Sequence, residues 1–160
     1  MMLKNTVQSD GGGTLPGTMQ PATAPGVTLL LTRLSRAVYR RATEARLGMS
    51  LKAYMALSNL RDHDHVSQQA LGDALHLDPN NCVLLLNMLE NSDLVVRRRD
   101  RHDRRRHIVE LTPAGRLALE RADGAIERIE AEVLAPLDPE ERATLSRLLL
   151  RAVESHEPHD

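Results

Sequence analysis

The chain has 160 residues and a formal net charge of −1, and 41% of its residues are hydrophobic and 27% charged. These values predict one globular domain and exclude a wholly disordered chain. No apolar run approaches the roughly 20 residues of a membrane-spanning helix, and the N-terminus lacks the apolar segment of a secretory signal. A single cysteine excludes an intrachain disulfide and favours a cytoplasmic location.

The aromatic content and the distribution of charge are both unusual. Phe and Trp are absent and only two tyrosines occur, so the core must be built from aliphatic side chains, as in helix-packed proteins. Between Arg97 and His107, seven arginines stand against two acidic residues, whereas residues 112–160 hold six arginines and eleven acidic residues. Because arginine pairs with phosphate through two hydrogen bonds, the basic segment points to nucleic acid as a partner.

The chain is predicted to begin with an arm and two helices. Residues 1–26 contain five glycines and three prolines, which predicts a flexible arm. A helix is predicted from about Thr28 to Leu47, because apolar residues recur at steps of three and four, and Gly48 is suited to end it. The expected inward face of this helix is Leu31, Leu34, Val38, Ala42 and Ala45. Ser50, a favoured N-cap, is expected to begin a second helix.

Two short helices are predicted next. Ser67 is expected to cap the first, and Asp78 with Pro79 to begin the second, because Asp is a favoured N-cap and Pro a favoured first helical residue. The second helix is expected to extend to about Ser92. Two short helices joined by a few residues are typical of the helix-turn-helix, whose second helix enters the major groove of DNA.

A β-hairpin is predicted after these helices. Strand-like segments at Leu94–Val96 and Ile108–Leu111 flank the arginine-rich stretch. The arginines are therefore expected on the loop of the hairpin. A hairpin behind a helix-turn-helix forms a wing that reaches the adjacent minor groove, where arginine is favoured. The order of elements thus predicts a winged helix.

Two longer helices are predicted at the C-terminal end. Thr112 and Pro113 are expected to begin the first, whose apolar residues are Leu119, Ala122, Ile126, Ile129 and Val133. Their spacing fits a coiled-coil-like seam against a partner chain, or a stripe that faces the chain's own domain. Asp138 and Glu141 have capping-box spacing and are expected to begin a last helix. Its expected apolar face is Leu145, Leu148, Leu149 and Val153.

Several of these motifs, in this order, resemble the MarR (multiple antibiotic resistance regulator) family. They are Asp78-Pro79, Leu89-Glu90, Leu94-Val95, Arg97-Arg98 and, most specifically, the run DRRRHIVELTPAG from Asp103 to Gly115. The resemblance covers about Thr28 to Val153. It implies a mostly α-helical fold in which residues 50–111 form a winged helix-turn-helix domain with a small β-hairpin wing. Residues 27–49 and 112–160 would form a helical dimerisation region.

The same resemblance implies a function. The family match implies a homodimeric repressor that binds a pseudo-palindromic operator in double-stranded DNA, with a small effector, phenolic in many members, that releases it. We therefore expect a DNA-binding transcriptional regulator that is cytoplasmic and nucleoid-associated. No cofactor, no membrane partner and no enzymatic activity are expected.

The resemblance also implies which residues contact DNA from the two short helices. Ser67 and Gln68 open the first helix of the motif, where family members contact phosphates. Asn80 and Asn81 lie in the first turn of the recognition helix. Asparagine there reads adenine through two hydrogen bonds, although it also serves as a helix cap. The further candidates on this helix are Leu84 and Asn87.

The wing provides the charged candidates, which are Arg101, Arg104, Arg105 and Arg106. Asp103 is expected to brace an arginine rather than to touch DNA. Many relatives carry basic residues where this chain has Leu84 and Met88, and no Arg or Lys occurs between Asp78 and Arg97. We therefore expect affinity to depend on the wing. Sequence reading would depend on the asparagines and on apolar contacts, such as Leu84 with thymine methyl groups.

Two further residue types have competing interpretations. Tyr39 and Tyr54 are candidates for an effector pocket, but buried tyrosines more often serve as plain core residues. Cys82 on the recognition helix is a candidate redox sensor, and a sensor needs an accessible thiolate of low pKa. The alternative is inert packing, because a free cysteine behaves as a small apolar side chain.

A different class of function also stays open. In a protein-interaction module, the long helix would be the functional surface and the hairpin would meet an acidic partner protein; Leu84 and Met88 favour this interpretation. His63 and His65 are the tightest histidine pair, for which a loop without a metal ion is expected. The chain lacks a nucleophile elbow, a phosphate loop and the H-E-x-x-H motif, which speaks against an enzyme.

Overall fold

The computed structural model describes residues 25–63, 65–100 and 106–154. The predicted arm therefore lies outside the described residues except for Pro25 and Gly26. The elements in chain order are α1 (Val27–Arg41), α2 (Glu44–Leu47), α3 (Leu51–Asp62), α4 (Gln68–Ala74), α5 (Pro79–Asn91), β1 (Val95–Arg99), β2 (His107–Leu111), α6 (Pro113–Val133) and α7 (Pro139–Glu154). The fold is mostly α-helical with one two-stranded antiparallel sheet, as the sequence predicted.

The prediction of one continuous first helix is wrong in one respect, because the observed helix is interrupted at Ala42 and Thr43. Thr43 is extended and occupies the N-cap position of the short helix α2 without a side-chain hydrogen bond, and Gly48 ends α2 in the left-handed conformation. Ala42 and Leu47 are both buried. In one continuous helix, residues five apart would face directions about 140° apart, so they could not share one core. The break allows both to be buried, and it leaves Ala45 exposed.

The core lies between α3, α4, α5, α6 and the base of the hairpin. Its largest fully buried aliphatic side chains are Leu57, Leu71, Leu86, Leu89, Val95, Leu119 and Ile129. Helix α6 packs on α1, α2 and α3, and its stripe contributes Leu119, Ala122 and Ile129 to this core. The stripe therefore faces the chain's own domain, and the coiled-coil interpretation of α6 is wrong.

Helices α1 and α7 contain no buried residue. The predicted capping box of α7 is confirmed, because the Asp138 N–H donates to Glu141 Oε2 and the Glu141 N–H donates to Asp138 Oδ1, both at 2.9 Å. Three residues predicted to face inward are instead exposed, namely Leu31, Leu148 and Val153. The physical reason is that no element among the described residues covers these side chains. None of the described helices is both long and apolar enough to cross a membrane.

The hairpin differs from its prediction in where the strands end. Strand β1 pairs antiparallel with β2, with Val95 opposite Leu111 and Arg99 opposite His107. The first three arginines of the basic stretch, residues 97–99, therefore lie in the paired strand and not on the loop. The Asp100 N–H donates to the Arg106 carbonyl at 3.0 Å, which closes the hairpin.

The start of α6 is fastened to the base of the hairpin. The hydroxyl of Thr112 accepts from the Gly115 N–H at 2.9 Å, so the predicted cap is confirmed, and it donates to the Asp93 carbonyl. The Thr112 N–H donates to the Leu94 carbonyl at 3.1 Å. These bonds fix the wing relative to the longest helix.

Candidate nucleic-acid interface

The two helices of the helix-turn-helix begin at side-chain caps, as predicted. The Ser67 hydroxyl accepts from the Ala70 N–H at 3.1 Å. Asp78 Oδ1 accepts from the N–H groups of Asn80 and Asn81, both at 3.1 Å. Hydrogen bonds from Asn81 and Asn80 lower the pKa of the Asp78 carboxyl. The caps fix where α5 begins, and so which of its residues are exposed.

Cys82 holds α4 and α5 together rather than facing solvent. Its side chain is 2% exposed, and its thiol donates to the Gln68 carbonyl at 3.4 Å. Burial raises the pKa of the Cys82 thiol. A redox sensor needs an accessible thiolate of low pKa, so this geometry favours inert packing. A cleft of about 350 Å³ lies beside it, lined by Gln68, Gly72, Leu77 and Pro79 among others.

The exposed face of α5 is uncharged. Residues at helical spacing share this face, and they are Asn80, Leu84, Asn87, Met88 and Asn91. The Asn81 side-chain amide donates to the Asp78 carboxylate, so Asn81 serves as part of the cap. The Asn80 side chain makes no hydrogen bond within the described residues. Of the two predicted adenine readers, only Asn80 therefore has a free amide.

Arg97 joins the wing to α5. Its Nε and Nη2 atoms donate to Glu90 Oε2 at 3.1 and 2.6 Å, and its backbone N–H donates to Glu90 Oε1 at 3.2 Å. Nη2 also donates to Asn87 Oδ1 at 2.6 Å. The hydrogen bonds from Arg97 lower the pKa of the Glu90 carboxyl. Asn87, a predicted base contact, is thus engaged through its oxygen and keeps only its amide N–H groups.

The start of α4 lies against β2. The Val109 N–H donates to the Val66 carbonyl at 2.9 Å, and Ser67 forms an isolated antiparallel bridge with Ile108. This pairing leaves Ser67 only 7% exposed, so Gln68 is the more accessible of the two predicted phosphate contacts beside the wing. An open cleft of about 190 Å³ lies here and is lined by Ser67, Gln68, Gln69, Arg106 and His107. Gln69 and His107 were not predicted from the sequence, although each directly follows a predicted site residue.

The wing cations divide into paired and free groups. Arg98 forms an ion pair with Glu110 at 3.2 Å across the exposed side of the hairpin. Arg99 and Arg106 are exposed and form no ion pair within residues 25–63, 65–100 and 106–154. Arg99 is opposite His107 in the strand register, so it lies near the cleft. The remaining predicted wing residues lie outside the described residues, and they are Arg101, Asp103, Arg104 and Arg105.

The two candidate effector residues lie on different helices. The Tyr54 hydroxyl donates to Asp123 Oδ1 at 3.0 Å, and Arg61 pairs with the other oxygen of Asp123 at 2.7 Å. Burial and the bond to Asp123 raise the pKa of Tyr54 to about 12. Tyr39, on α1, is 59% exposed. Neither tyrosine lines the clefts beside α4.

The structure describes His63 and His65, and it places no metal site at this pair. His63 Nδ1 lies 3.0 Å from the Asn59 carbonyl oxygen. Within the described part of the chain, no group of three or more His, Cys, Asp or Glu side chains is placed to hold a metal ion. Asp64, between the two histidines, lies outside that part.

Comparisons with known proteins find one family model and several transcriptional regulators. A family model described as MarR family matches residues 47–106. A protein named for a transcriptional regulatory role at the hcr operon of Thauera aromatica is 36% identical over 104 residues, covering 65% of this chain. The match spans 63% of the length of that relative.

Solved structures share the fold over a larger part of the chain. A "probable transcriptional regulator" from Pseudomonas aeruginosa, known from a crystal structure, is 28% identical in sequence to this chain. The two structures superpose with a TM-score of 0.67 over 79% of this chain and 96% of that one. The PcaV transcriptional regulator of Streptomyces coelicolor, solved with its natural ligand, is 26% identical, with a TM-score of 0.64 over 89% of this chain and 100% of that one. The chain belongs to the MarR family of winged helix-turn-helix transcriptional regulators, which are not enzymes.

Proposed function

We propose that this protein is a homodimeric repressor that binds a pseudo-palindromic operator in double-stranded DNA. The observation that carries the proposal is one continuous surface. Two clefts that share Gln68 and Gln69 at the start of α4 connect the beginning of α5 with the wing, where Arg99 and Arg106 are exposed. A recognition helix in the major groove would leave this wing beside the adjacent backbone.

The electrostatics of this surface support an anionic partner. Glu90 on α5 and Glu110 on β2 are neutralised by Arg97 and Arg98. Arg99 and Arg106 remain for phosphates. By sequence, residues 97–110 hold seven arginines against three acidic residues. The wing therefore has a net positive charge even though the whole chain carries −1.

The proposed homodimer is supported by helices α1 and α7. Both expose apolar side chains, including Leu30 and Leu31 on α1 and Leu148 and Leu150 on α7. Helices in proteins gain most of their stability from packing an apolar face, and within the described part of the chain these two helices have no buried residue. A second copy would cover these faces. Its two-fold symmetry would place two recognition helices on the two half-sites of an operator.

The proposed effector is a small, phenol-like molecule that releases the protein from DNA. The structure of PcaV with its natural ligand supports ligand control in a similar fold. We keep Tyr39 and Tyr54 as candidate effector residues. A ligand shifts DNA affinity only if it binds one conformation better than the other, so release must be measured directly.

The test is sequencing of the genomic DNA fragments that the purified full chain retains, with and without candidate phenols. The retained fragments are expected to share a pseudo-palindrome, and a gel shift on it should give a log–log salt slope of about −5 to −9 for a dimer. Salt-independent association would overturn the proposal. Analytical sedimentation should show a dimer. A monomer at the protein concentration that saturates the DNA would overturn the proposed homodimer.

The free wing arginines are tested with a matched control. Replacing Arg99 and Arg106 by Ala should weaken binding to all sequences alike and make the salt slope shallower by about one for each phosphate that is no longer contacted. Arg121→Ala removes an exposed arginine in the middle of α6 and should change neither quantity. Equal effects of the two changes would contradict the assignment of phosphate contacts to the wing.

A further inference from the structure

We infer that the exposed face of α5 reads A·T base pairs, with Leu84 and Met88 against thymine methyl groups and Asn80 on adenine. The inference rests on the proposed DNA binding and adds to it the class of half-site. Leu84 is 65% exposed and Met88 46% exposed, one helical turn apart. Asn87, which lies between them in the sequence, accepts a hydrogen bond from Arg97 at the base of the wing. In the major groove, the apolar group that a base edge offers to Leu84 and Met88 is the C5-methyl of thymine.

This face carries no reader for guanine. The common readers of guanine O6 and N7 are arginine and lysine. No Arg or Lys occurs between Asp78 and Arg97. Arg97 is the first basic residue after α5, and its guanidinium donates hydrogen bonds to Glu90 and Asn87. Moving it to a base would leave the Glu90 carboxylate without its partner.

The same ion pair removes a reader for cytosine. A carboxylate accepts a hydrogen bond from cytosine N4. Glu90 is the one acidic residue within α5, and Arg97 contacts both of its oxygens. The helix therefore offers neither of the charged groups by which proteins commonly recognise a G·C pair. What remains exposed is amide and apolar.

The amide of Asn80 is free to bind a base. Adenine presents an acceptor at N7 and a donor at N6, and one asparagine amide matches both. The Asn81 amide is held by Asp78, and Asn87 has its oxygen on Arg97. Among these three asparagines, Asn80 is therefore the one with both amide groups available. It lies one turn before Leu84, so both side chains would address neighbouring base pairs.

The first experiment selects bound duplexes from a random library with the full-length protein. The half-sites are expected to be rich in A·T pairs. The second experiment replaces the thymines of the selected duplex by deoxyuridine, which removes only the methyl groups. Binding should weaken by about fourfold for each contacted methyl, the factor that corresponds to burying one methyl-sized apolar group.

The variant arms locate the effect on α5. The double variant Leu84→Ala with Met88→Ala should bind thymine and uracil duplexes equally well. Leu117→Ala, which truncates a similarly exposed leucine of α6, should keep the preference. All three substitutions are at exposed positions, and circular dichroism checks that each variant is folded.

The outcomes separate this inference from the proposed function. Selection of G·C half-sites, or equal binding of thymine and uracil duplexes by the unaltered protein, would overturn the inference while leaving DNA binding intact. A double variant that keeps the thymine preference would overturn the assignment to α5. Failure to select any duplex would overturn the proposed function itself, and Leu84 and Met88 would then be assigned to contact with another protein.

Discussion

Arg97 on strand β1 holds Glu90 on helix α5 through both oxygens of the carboxylate. The side chain of Arg97 donates to Oε2 at 2.6 and 3.1 Å, and its backbone N–H donates to Oε1 at 3.2 Å. The guanidinium also reaches Asn87 one turn earlier. One residue at the base of the wing thus fixes the direction of the recognition helix relative to the hairpin.

Removing this contact is expected to destabilise the fold moderately. Arg97→Met keeps the aliphatic stem but deletes the charge, and the free energy of unfolding should fall by about 1 kcal/mol. The expected change is small for a residue with several hydrogen bonds, because the pair is partly exposed and screened. Urea denaturation measures it. Arg98→Met is the control, since its pair with Glu110 is more exposed and should contribute less than about 0.5 kcal/mol.

The same pair predicts a pH dependence of stability. Hydrogen bonds from Arg97 hold the pKa of Glu90 below its ordinary value in the folded chain. Its contribution is therefore complete above the ordinary glutamate pKa of about 4.3 and is lost as the pH falls through the lower, folded value. Urea midpoints should drop less on acidification for Glu90→Gln than for the unaltered chain. An identical drop would show that Glu90 contributes no acid sensitivity.

The helix starts could be predicted from the sequence because each depends on local hydrogen bonds. Ser50, Ser67 and Thr112 each accept from an N–H three residues on, and Asp138 forms its box with Glu141. Such bonds need no knowledge of the tertiary fold, so residue type and spacing reveal them. The cap at Ser67 also placed the start of α4, where the candidate phosphate contacts lie.

The features that could not be predicted depend on contacts between distant segments. The break at Ala42 and Thr43 lets side chains from two directions enter one core, which no local pattern records. Arg97 was predicted to lie on a loop because the predicted strand ended just before it. Its place in β1 depends on pairing with Val109 and on the contact with Glu90 of α5. The stripe of α6 fitted two interpretations, and the packing of α1, α2 and α3 against α6 decides between them.

Gly115 is expected to tolerate no side chain. A Cβ at this position would lie against the Leu94 carbonyl oxygen, which is backbone and cannot turn aside. Alanine normally favours a helix over glycine by about 1 kcal/mol, but overpacking of this kind costs about 1–3 kcal/mol or more. With the gain in helix propensity subtracted, Gly115→Ala should lower the free energy of unfolding by up to about 2 kcal/mol, measured by urea denaturation.

Gly124 on the same helix provides the matched control. The nearest atom to a Cβ there is Nη1 of Arg128, at 3.8 Å, which is the end of a flexible side chain. Gly124→Ala should raise the free energy of unfolding by about 0.5–1 kcal/mol, because only the helix propensity changes. If both substitutions shift stability in the same direction, the close approach of Leu94 to α6 is not as described.

Cys82 is expected to react slowly in the folded chain. Its thiol is buried and its pKa is raised by burial, so the reactive thiolate is scarce near pH ~8. Alkylation by iodoacetamide should be at least about tenfold slower in buffer than in urea concentrations that unfold the chain. Mass spectrometry follows the added group, and Cys82→Ala gives the background. Equal rates in both conditions would restore the redox interpretation.

Tyr54 is expected to ionise at unusually high pH. Its pKa is raised to about 12 by burial and by the hydrogen bond to Asp123, whereas the unfolded chain would ionise near about 10. The contribution of this group to stability is complete below about pH 10 and is lost as the pH rises through about 12, because the unfolded chain then releases a proton that the folded chain retains. Ultraviolet titration of phenolate should show a component near about 12 that disappears in Tyr54→Phe and persists in Tyr39→Phe. A persisting component in Tyr54→Phe would contradict the bond to Asp123 and, with it, the fixed position of Tyr54 between α3 and α6.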